Sequence, residues 1–317
     1  MPATPTHPAG QPEVAVLIPC YNEAIAIADV VAALRAALPA AEITVIDNNS
    51  TDATAAIAGA AGAAVLHEAL QGKGHAVRRG FAEVEADLYV LIDGDGTYDA
   101  AAAPAMVAML LDRRLDMVTA TRVSDASAAY RRFHRLGNRV LTALVAGIFG
   151  SRVSDMLSGY RVFSRRFVKS YPALAAGFET ETEFTVHALE LAMPIAEVAT
   201  AYRERPLGSV SKLSTWRDGL RILRMILVLV KEERPLLLFS LTAALLILAG
   251  LGLGLPVVAH FMRTGLVPRL PTAVLALGLV LLGFLAIASG LILDSVARGR
   301  REMKRLAYLA IPGPRRP

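Results

Sequence analysis

Between Val14 and Gly96 the chain runs three times through strand, polar loop and helix, then closes on a fourth strand. No other feature restricts the fold as much. Val14-Ala15-Val16-Leu17-Ile18 is an apolar, β-branched run that Pro19 is expected to stop, and Pro19-Cys20-Tyr21-Asn22-Glu23 follows as a loop before an Ala-rich helix to about Leu38. Ile43-Thr44-Val45-Ile46 is a second strand, and Asp47-Asn48-Asn49-Ser50-Thr51-Asp52 follows it. Ser50 or Thr51 is placed to cap the helix through Ala58, with Asp52 in its first turn. The third unit is shorter, Ala63 to Leu66, then Gln71-Gly72-Lys73-Gly74 and a helix from Ala76 to Glu85. Strands joined through helices pair in parallel, with helices on both faces, so the class is α/β.

The fourth strand, Tyr89-Val90-Leu91-Ile92, ends in Asp93-Gly94-Asp95-Gly96. Two carboxylates at i and i+2 beyond a buried strand repel each other and the apolar core. A divalent cation shared in a crevice relieves that repulsion, and a plain surface turn avoids it. Glu23, Asp47 and the Asp93/Asp95 pair all follow strands of one parallel sheet, so their loops converge on one edge, where α/β sheets bind ligands. That convergence favours a nucleotide crevice. No G-x-G-x-x-G follows the first strand, and Gly72-Lys73-Gly74 lacks Walker spacing, so neither a dinucleotide fingerprint nor a P-loop is present.

At 317 residues the expectation is about two domains. The chain is 54% hydrophobic with a net charge of +5, which suits a nucleic acid, an anionic membrane surface or a phosphorylated substrate. Cys20 is the only cysteine, which excludes a disulfide framework and a Cys-based zinc site. Residues 1–12, rich in Pro, Ala and Thr and without an apolar core, are expected to be disordered rather than a signal peptide.

Five motifs in order carry a family resemblance. Ile18-Pro19-Cys20-Tyr21-Asn22-Glu23, Asp47 to Asp52, and Asp93-Gly94-Asp95 resemble the nucleotide-sugar motifs of family-2 glycosyltransferases of the GT-A fold. Asp155 to Arg161 and Arg205 to Leu213 resemble the polyprenyl-phosphate group, typified by dolichyl-phosphate mannose synthase. Gly177 to Glu183 with Asp47-Asn48-Asn49 looks most like the branch that makes polyprenyl-phosphate galacturonate. The resemblance spans residues 13–213 and implies a membrane-anchored, inverting transferase that moves a sugar from a nucleoside diphosphate to polyprenyl phosphate, for envelope glycan or lipid A modification. It further implies that Pro19, Tyr21, Glu23, Asp47, Asn48, Lys73 and Gly94 hold the nucleotide sugar. Asp93 and Asp95 then hold Mg²⁺ or Mn²⁺, and Arg161, Arg205 and Lys212 grip phosphates. Asn48, where many relatives have a second Asp, and Thr97, where they have Gln, leave the base and sugar open.

The chemistry supplies its own reasons for these residue types. A leaving diphosphate gains charge that a carboxylate-held cation neutralises. An acceptor phosphate, with a second pKa of about 6, is already largely anionic and needs aiming by Arg or Lys more than deprotonation. Glu179, Glu181 and Glu183 share one face of a strand, whereas on a helix Glu179 and Glu183 pair. Glu183 best matches the family's catalytic position, with a solvated acidic stripe as the alternative. Asp155 is either a catalytic carboxylate or a partner for Arg161.

After Leu213 the chain changes character. Residues 214–235 read as an amphipathic helix for a membrane interface, with Arg217, Arg221 and Arg224 beside Trp216, Leu220, Leu223 and Leu227. An ordinary core-facing helix gives the same pattern. Leu236 to Leu255 and Thr272 to Leu293 lack charge, and each spans roughly 30 Å as a helix. Both outer flanks are basic, Lys231 and Arg234 before and residues 294–317 after. The expected location is therefore the inner membrane, multi-pass, with the catalytic domain and the basic tail cytoplasmic. The partners expected are a nucleotide-sugar donor, polyprenyl phosphate and the bilayer; a homo-oligomer is compatible and nucleic acid is not expected. A processive polysaccharide synthase is the rival enzyme, although Ser211 to Trp216 supplies no Q-x-x-R-W, and a silent GT-A scaffold is the rival of another class.

Overall fold

The computed structural model describes residues 12–123, 153–174, 177, 179–203, 228, 231–232 and 234–314. Arg205, Lys212, nearly all of the expected disordered N-terminus and most of the expected amphipathic helix lie outside these residues. The chain forms two compact units, Met1–Gly219 with Lys304–Pro317, and Leu220–Met303.

The first unit is built on a seven-stranded mixed sheet of order β3-β2-β1-β4-β6-β5-β7. Its strands are β1 (Val14–Cys20), β2 (Glu42–Asp47), β3 (Ala64–His67), β4 (Leu88–Leu91), β5 (Met117–Val123), β6 (Arg161–Ser164) and β7 (Ile195–Ala201). Helices α1 (Ile27–Ala37), α2 (Thr54–Ala60) and α3 (Lys73–Glu83) link the first four, which pair in parallel as the sequence rhythm requires. α4 (Ala103–Asp112), α5 (Arg165–Ser170) and α6 (Thr180–Glu190) complete the unit. Among the described strands, β6 alone runs antiparallel to both of its neighbours, β4 and β5. Pro19 does not stop β1; it stays in register with Ile46 and the strand reaches Cys20. Neither Ser50 nor Thr51 caps α2: the Asp52 carboxylate accepts from the Thr54 amide at 2.9 Å instead.

Alternation along the central strands sorts their side chains to two faces. Val16, Ile18 and Val90 pack with Ile27, Val31 and Leu34 of α1 and Met106 and Leu110 of α4. Leu17, Tyr89 and Leu91 pack on the other face with Val77 and Phe81 of α3 and an aromatic group, Phe163, Phe167, Tyr171 and Phe184. Phe163 is fully buried, with ring centroids 4.5 Å from Phe167 and 4.9 Å from Phe184. The tilted and stacked contacts of this group add to simple area burial.

The second unit contains α7 (Pro235–Thr264) and most of α8 (Leu270–Leu309), with Gly265 at φ 70° ending α7. Both helices are longer than the spans expected from charge alone. Each is long and apolar enough to cross a membrane, yet only 11% and 17% of their most apolar windows are buried in the protein. They pack antiparallel through small residues: a Cβ on Gly250 would lie 2.8 Å from Val280, and one on Gly290 2.9 Å from Phe239. Ala276, Gly283, Gly290 and Ala297 recur every seven residues on α8, so the close seam stays on one side. Val280, Ile247 and Phe239 fill the seam against these glycines, while many leucines point away from it; Leu245 is 71% exposed and Leu285 62%. Residues expected to form a basic tail are instead helical to Leu309, and the last turns belong to the first unit. There Lys304 Nζ donates to Glu190 at 2.6 Å and the Tyr308 hydroxyl donates to Asp116 at 2.8 Å.

Candidate active site

Topology brings the chemistry to one sheet edge. The carboxyl ends of β1, β2, β3 and β4 share that edge, and β1 lies where the strand order reverses, with β2 on one side and β4 on the other. Because β6 is antiparallel, its start lies beside the end of β4, with Leu91 opposite Arg161. Residues 155–160 therefore meet the Asp93-Gly94-Asp95 turn. β5 and β7 run with β4, which adds Arg122 and Tyr202 to the same edge.

The first two loops are laced together. The Asn22 amide donates to Ser50 Oγ at 3.0 Å, Asn22 Oδ1 accepts from the Thr51 amide at 2.8 Å, and the Glu23 amide donates to Thr54 Oγ1 at 2.9 Å. Asn22 and Asn49 hold positive φ, 53° and 61°, which asparagine tolerates better than most residues. This lacing, with Cys20 opposite Asp47 in the strand register, draws the loop after β1 onto the loop after β2. Asp47 is 3% exposed; Oδ2 lies 3.1 Å from His67 Nδ1, while Oδ1 is buried with no hydrogen-bond partner. A buried carboxylate oxygen left unsatisfied is costly, and a donor N–H of a ligand would relieve it.

Asn48, expected at the nucleotide, acts differently. It is 4% exposed and its Nδ2 donates to Leu70 O at 2.7 Å, while Oδ1 accepts from the Gly72 amide at 2.6 Å. It therefore braces the loop that delivers Lys73, and an aspartate there could not make the donating half of the brace.

Lys73 opens α3 and crosses to the fourth strand. Its Nζ donates to Asp93 Oδ1 at 2.5 Å and also to Glu181 Oε1, on the first turn of α6. Burial works against the ammonium, but the two carboxylates hold its pKa well above the ordinary lysine range. Asp93 is seated closely: a Cβ on Gly159 would collide with its carboxylate, and one on Gly94 would collide with Cys20 Sγ. The Gly159 amide donates to the Tyr98 hydroxyl at 2.8 Å. Asp95, 5% exposed, accepts from the Thr97 amide at 3.1 Å and from Thr97 Oγ1 at 2.6 Å. The Arg203 amide donates to Thr97 O at 2.8 Å, which ties the end of β7 to this turn.

Three sequence expectations need correction. The Glu179–Glu183 segment leads into a helix, and Glu183 accepts from the Tyr171 hydroxyl at 2.5 Å and the Leu174 amide at 3.0 Å, whereas Glu181 reaches the aspartate turn. Asp155 pairs with Arg122, not Arg161, through two bonds of 2.7 and 2.8 Å. Burial opposes the Asp155 charge, but Arg122 holds its carboxyl below the usual range. Arg161 is fully enclosed: it donates to Ser158 O at 3.0 Å, Met156 O at 2.7 Å and Thr185 Oγ1 at 2.9 Å. Burial lowers its pKa to about 10, with Glu181 and Asp155 acting the other way. At 0% exposure it positions the 155–160 turn and does not grip a phosphate directly.

Asp93 and Asp95 offer oxygen donors only, which suits Mg²⁺ or Mn²⁺. The Lys73 ammonium already stands against Asp93 as a cation, so the donor set fits a metal. Among the described residues no group of three His, Cys, Asp or Glu side chains forms a complete metal site. A diphosphate would complete the ligand set, and the ion would then neutralise charge on the leaving group. The chain's own residues orient and screen: Asp47 offers an acceptor, and Lys73 a charge that does not titrate at neutral pH. A parallel sheet edge with paired aspartates beyond its central strand fits the GT-A nucleotide-sugar site that the sequence resemblance implies.

Comparison with known proteins agrees. Residues 15–171 match the family model described as "Glycosyl transferase family 2". The chain is 34% identical over 299 residues, 93% of this chain and 98% of the relative, to "Glycosyltransferase AglJ" of Haloferax volcanii. The chain belongs to glycosyl transferase family 2 and carries out nucleotide-sugar-dependent glycosyl transfer. The "Dolichyl-phosphate hexose transferase" of Haloferax volcanii is 29% identical over 223 residues, 70% of this chain and 96% of that one. Among solved structures, glucosyl-3-phosphoglycerate synthase from Mycobacterium tuberculosis with Mn²⁺, uridine diphosphate and phosphoglyceric acid superimposes with a TM-score of 0.55 and 26% identity, covering 70% of this chain and 78% of that one. A further complex of that synthase holds Mg²⁺ and uridine diphosphate.

These matches overturn the expected localisation. Solved structures that share the fold include a synthase bound to phosphoglyceric acid, a small water-soluble acid, so this fold does not itself require a membrane acceptor. With 11% and 17% of their apolar windows buried, α7 and α8 also lack the packed core of a multi-pass bundle. Assignment as a multi-pass inner-membrane protein with a cytoplasmic catalytic domain is withdrawn.

Proposed function

We propose that this transferase moves a sugar from a nucleoside diphosphate to a polyprenyl phosphate. One observation carries the acceptor class: a nucleotide-sugar site and two long helices with outward leucines occur in one chain. Such a surface is stable against lipid and costly against water, at roughly 25 cal/mol per Å². A lipid-borne phosphate is an acceptor that would make use of it, and the name of the dolichyl-phosphate relative supports the same reading.

Donor binding rests on Asp47, whose open carboxylate oxygen suits an N–H of the base, with Pro19, Tyr21 and Glu23 from the neighbouring strand β1 and its loop. Asp93 and Asp95 would hold Mg²⁺ or Mn²⁺ against the diphosphate, and the solved relative is found with each of these metals together with uridine diphosphate. Arg122, set by Asp155 and lying 5.6 Å from the Tyr202 ring, is the described cation best placed to aim the acceptor phosphate. Arg205 and Lys212 join it by the family resemblance. The acceptor is anionic near neutrality, so transfer needs charge screening more than a general base. A small phosphorylated acid is the second reading, favoured by the phosphoglyceric acid of the solved complexes.

The test is mass analysis of the product from full-length protein in lipid vesicles, supplied with polyprenyl phosphate and a panel of nucleotide sugars. The expected product is a polyprenyl-phosphate monosaccharide that disappears with a chelator or with Asp93→Asn. Turnover of no nucleotide sugar onto any polyprenyl phosphate would contradict the reading.

A further inference from the structure

The Lys73 ammonium occupies the place of a cation. It bonds Asp93 at 2.5 Å, bonds Glu181 as well, and is enclosed, its side chain 11% exposed and that of Glu181 5%. Two carboxylates drawn together around one lysine are already neutralised in part, and a bare divalent ion must compete with an ammonium that has nowhere else to go. On the second aspartate, Thr97 donates twice to the one oxygen Oδ1. No group of three ligating side chains stands ready among the described residues.

We propose that Lys73 is an internal counter-ion that excludes free metal, and that it releases Asp93 only when a nucleoside diphosphate arrives to take its charge. This rests on the metal-dependent transfer proposed above. The diphosphate brings anionic oxygens within reach of the α3 N-terminus, where Lys73 is rooted, so the lysine exchanges a carboxylate for a phosphate without losing a partner. Asp93 then becomes a metal ligand in the same event. Metal and nucleotide therefore bind with strong positive coupling, and by linkage each raises the affinity of the other by the same factor. Glu181 is a positioning residue here: it keeps Lys73 over Asp93 when the nucleotide leaves, so product release also discharges the metal.

Neighbouring features fit this exchange. Asn48 braces both the Leu70 carbonyl and the Gly72 amide, which fixes the root of Lys73 and leaves only its side chain to move. Gly159 lies against Asp93 so closely that the carboxylate has little room to turn away from the lysine. The switch therefore resides in one side chain.

Calorimetry and Mn²⁺ electron paramagnetic resonance on the full-length protein test this, with uridine diphosphate and guanosine diphosphate as separate probes. Wild type is expected to bind bare Mn²⁺ at least about tenfold more weakly than Lys73→Met, which leaves the carboxylates uncompensated. With nucleotide present, wild type is expected to bind Mn²⁺ tightly, and the coupling factor should fall by about tenfold or more in Lys73→Met. Glu181→Gln, which retains the lysine, is expected to give an intermediate coupling, and thermal melting of each variant checks its fold. Equal bare-metal affinity in folded Lys73→Met and wild type overturns the counter-ion role while leaving metal-dependent transfer standing. So does tight Mn²⁺ binding by wild type without nucleotide. Absence of Mn²⁺ binding with either nucleotide overturns the metal reading and the proposal together.

Discussion

The two units use similar apolar residues in opposite ways. In the first, Leu34, Ile46 and Phe163 are fully buried between sheet and helices; in the second, Leu245 and Leu285 are mostly exposed, and glycines on each helix seat side chains of the other. The first unit thus hides its apolar surface and turns its carboxylates to one edge. The second hides the glycines of its seam, Gly250, Gly283 and Gly290, and presents its leucines. The first is a solution to folding in water, and the second leaves large apolar side chains exposed along both of its helices. In a chain that transfers sugar, the division separates a polar donor site from an apolar surface suited to a lipid substrate.

Core truncation should separate the units most sharply. Phe163→Ala removes the centre of the aromatic group and should cost about 3–5 kcal/mol, read by thermal or denaturant melting of the first unit, whereas Leu285→Ala should change it by less than about 0.5 kcal/mol. A comparable loss at both sites would break the comparison. Next comes Asp95→Asn, for which transfer is expected to fall roughly 10²- to 10³-fold with the melting transition preserved, measured as initial rates at saturating donor. Asn48→Asp should cost about 1–3 kcal/mol, because Leu70 O loses its donor and a carboxylate is buried in its place. Weaker nucleotide binding should accompany it, since Lys73 loses its fixed root.

A further effect is set by pH. Burial, and then Lys304, lower the pKa of His187 from 6.5 to about 3. As pH falls through 6.5 the unfolded chain takes up a proton that the folded chain refuses. Stability from this site is therefore full above pH 6.5 and is lost toward pH 3, with a slope of at most about 1.4 kcal/mol per pH unit. His187→Gln should flatten that part of the stability profile, measured by melting across the interval; an unchanged slope would contradict it.

Much of the first unit was legible because local pattern and tertiary role agree there. The β-branched runs of β1, β2 and β4 and their polar loops predict parallel strands, and these pair as expected. Strand β6 was not legible as an antiparallel partner of β4, since its pairing depends on contacts distant in sequence. At the site, Asp93 and Lys73 were singled out and do meet. Glu181 was passed over for Glu183 because alternation left strand and helix open. Phe184 and Ala188, three and seven residues on, mark a helical buried face that includes Glu181, and that signal was available. Arg161 and Asn48 misled for another reason: residue type suggests a ligand, and only burial reveals that both are braces. Arg122 had no sequence signal beyond its charge.

The acceptor decides the account. Full-length protein in lipid vesicles would be given a radiolabelled nucleotide sugar, with a long-chain polyprenyl phosphate and 3-phosphoglycerate together at equal concentration. The products would then be partitioned between organic and aqueous phases. The account predicts label in the organic phase as a polyprenyl-phosphate sugar, lost with Asp95→Asn. Label accumulating in the aqueous phase as a glycosylated phosphoglycerate, with none in lipid, would contradict it.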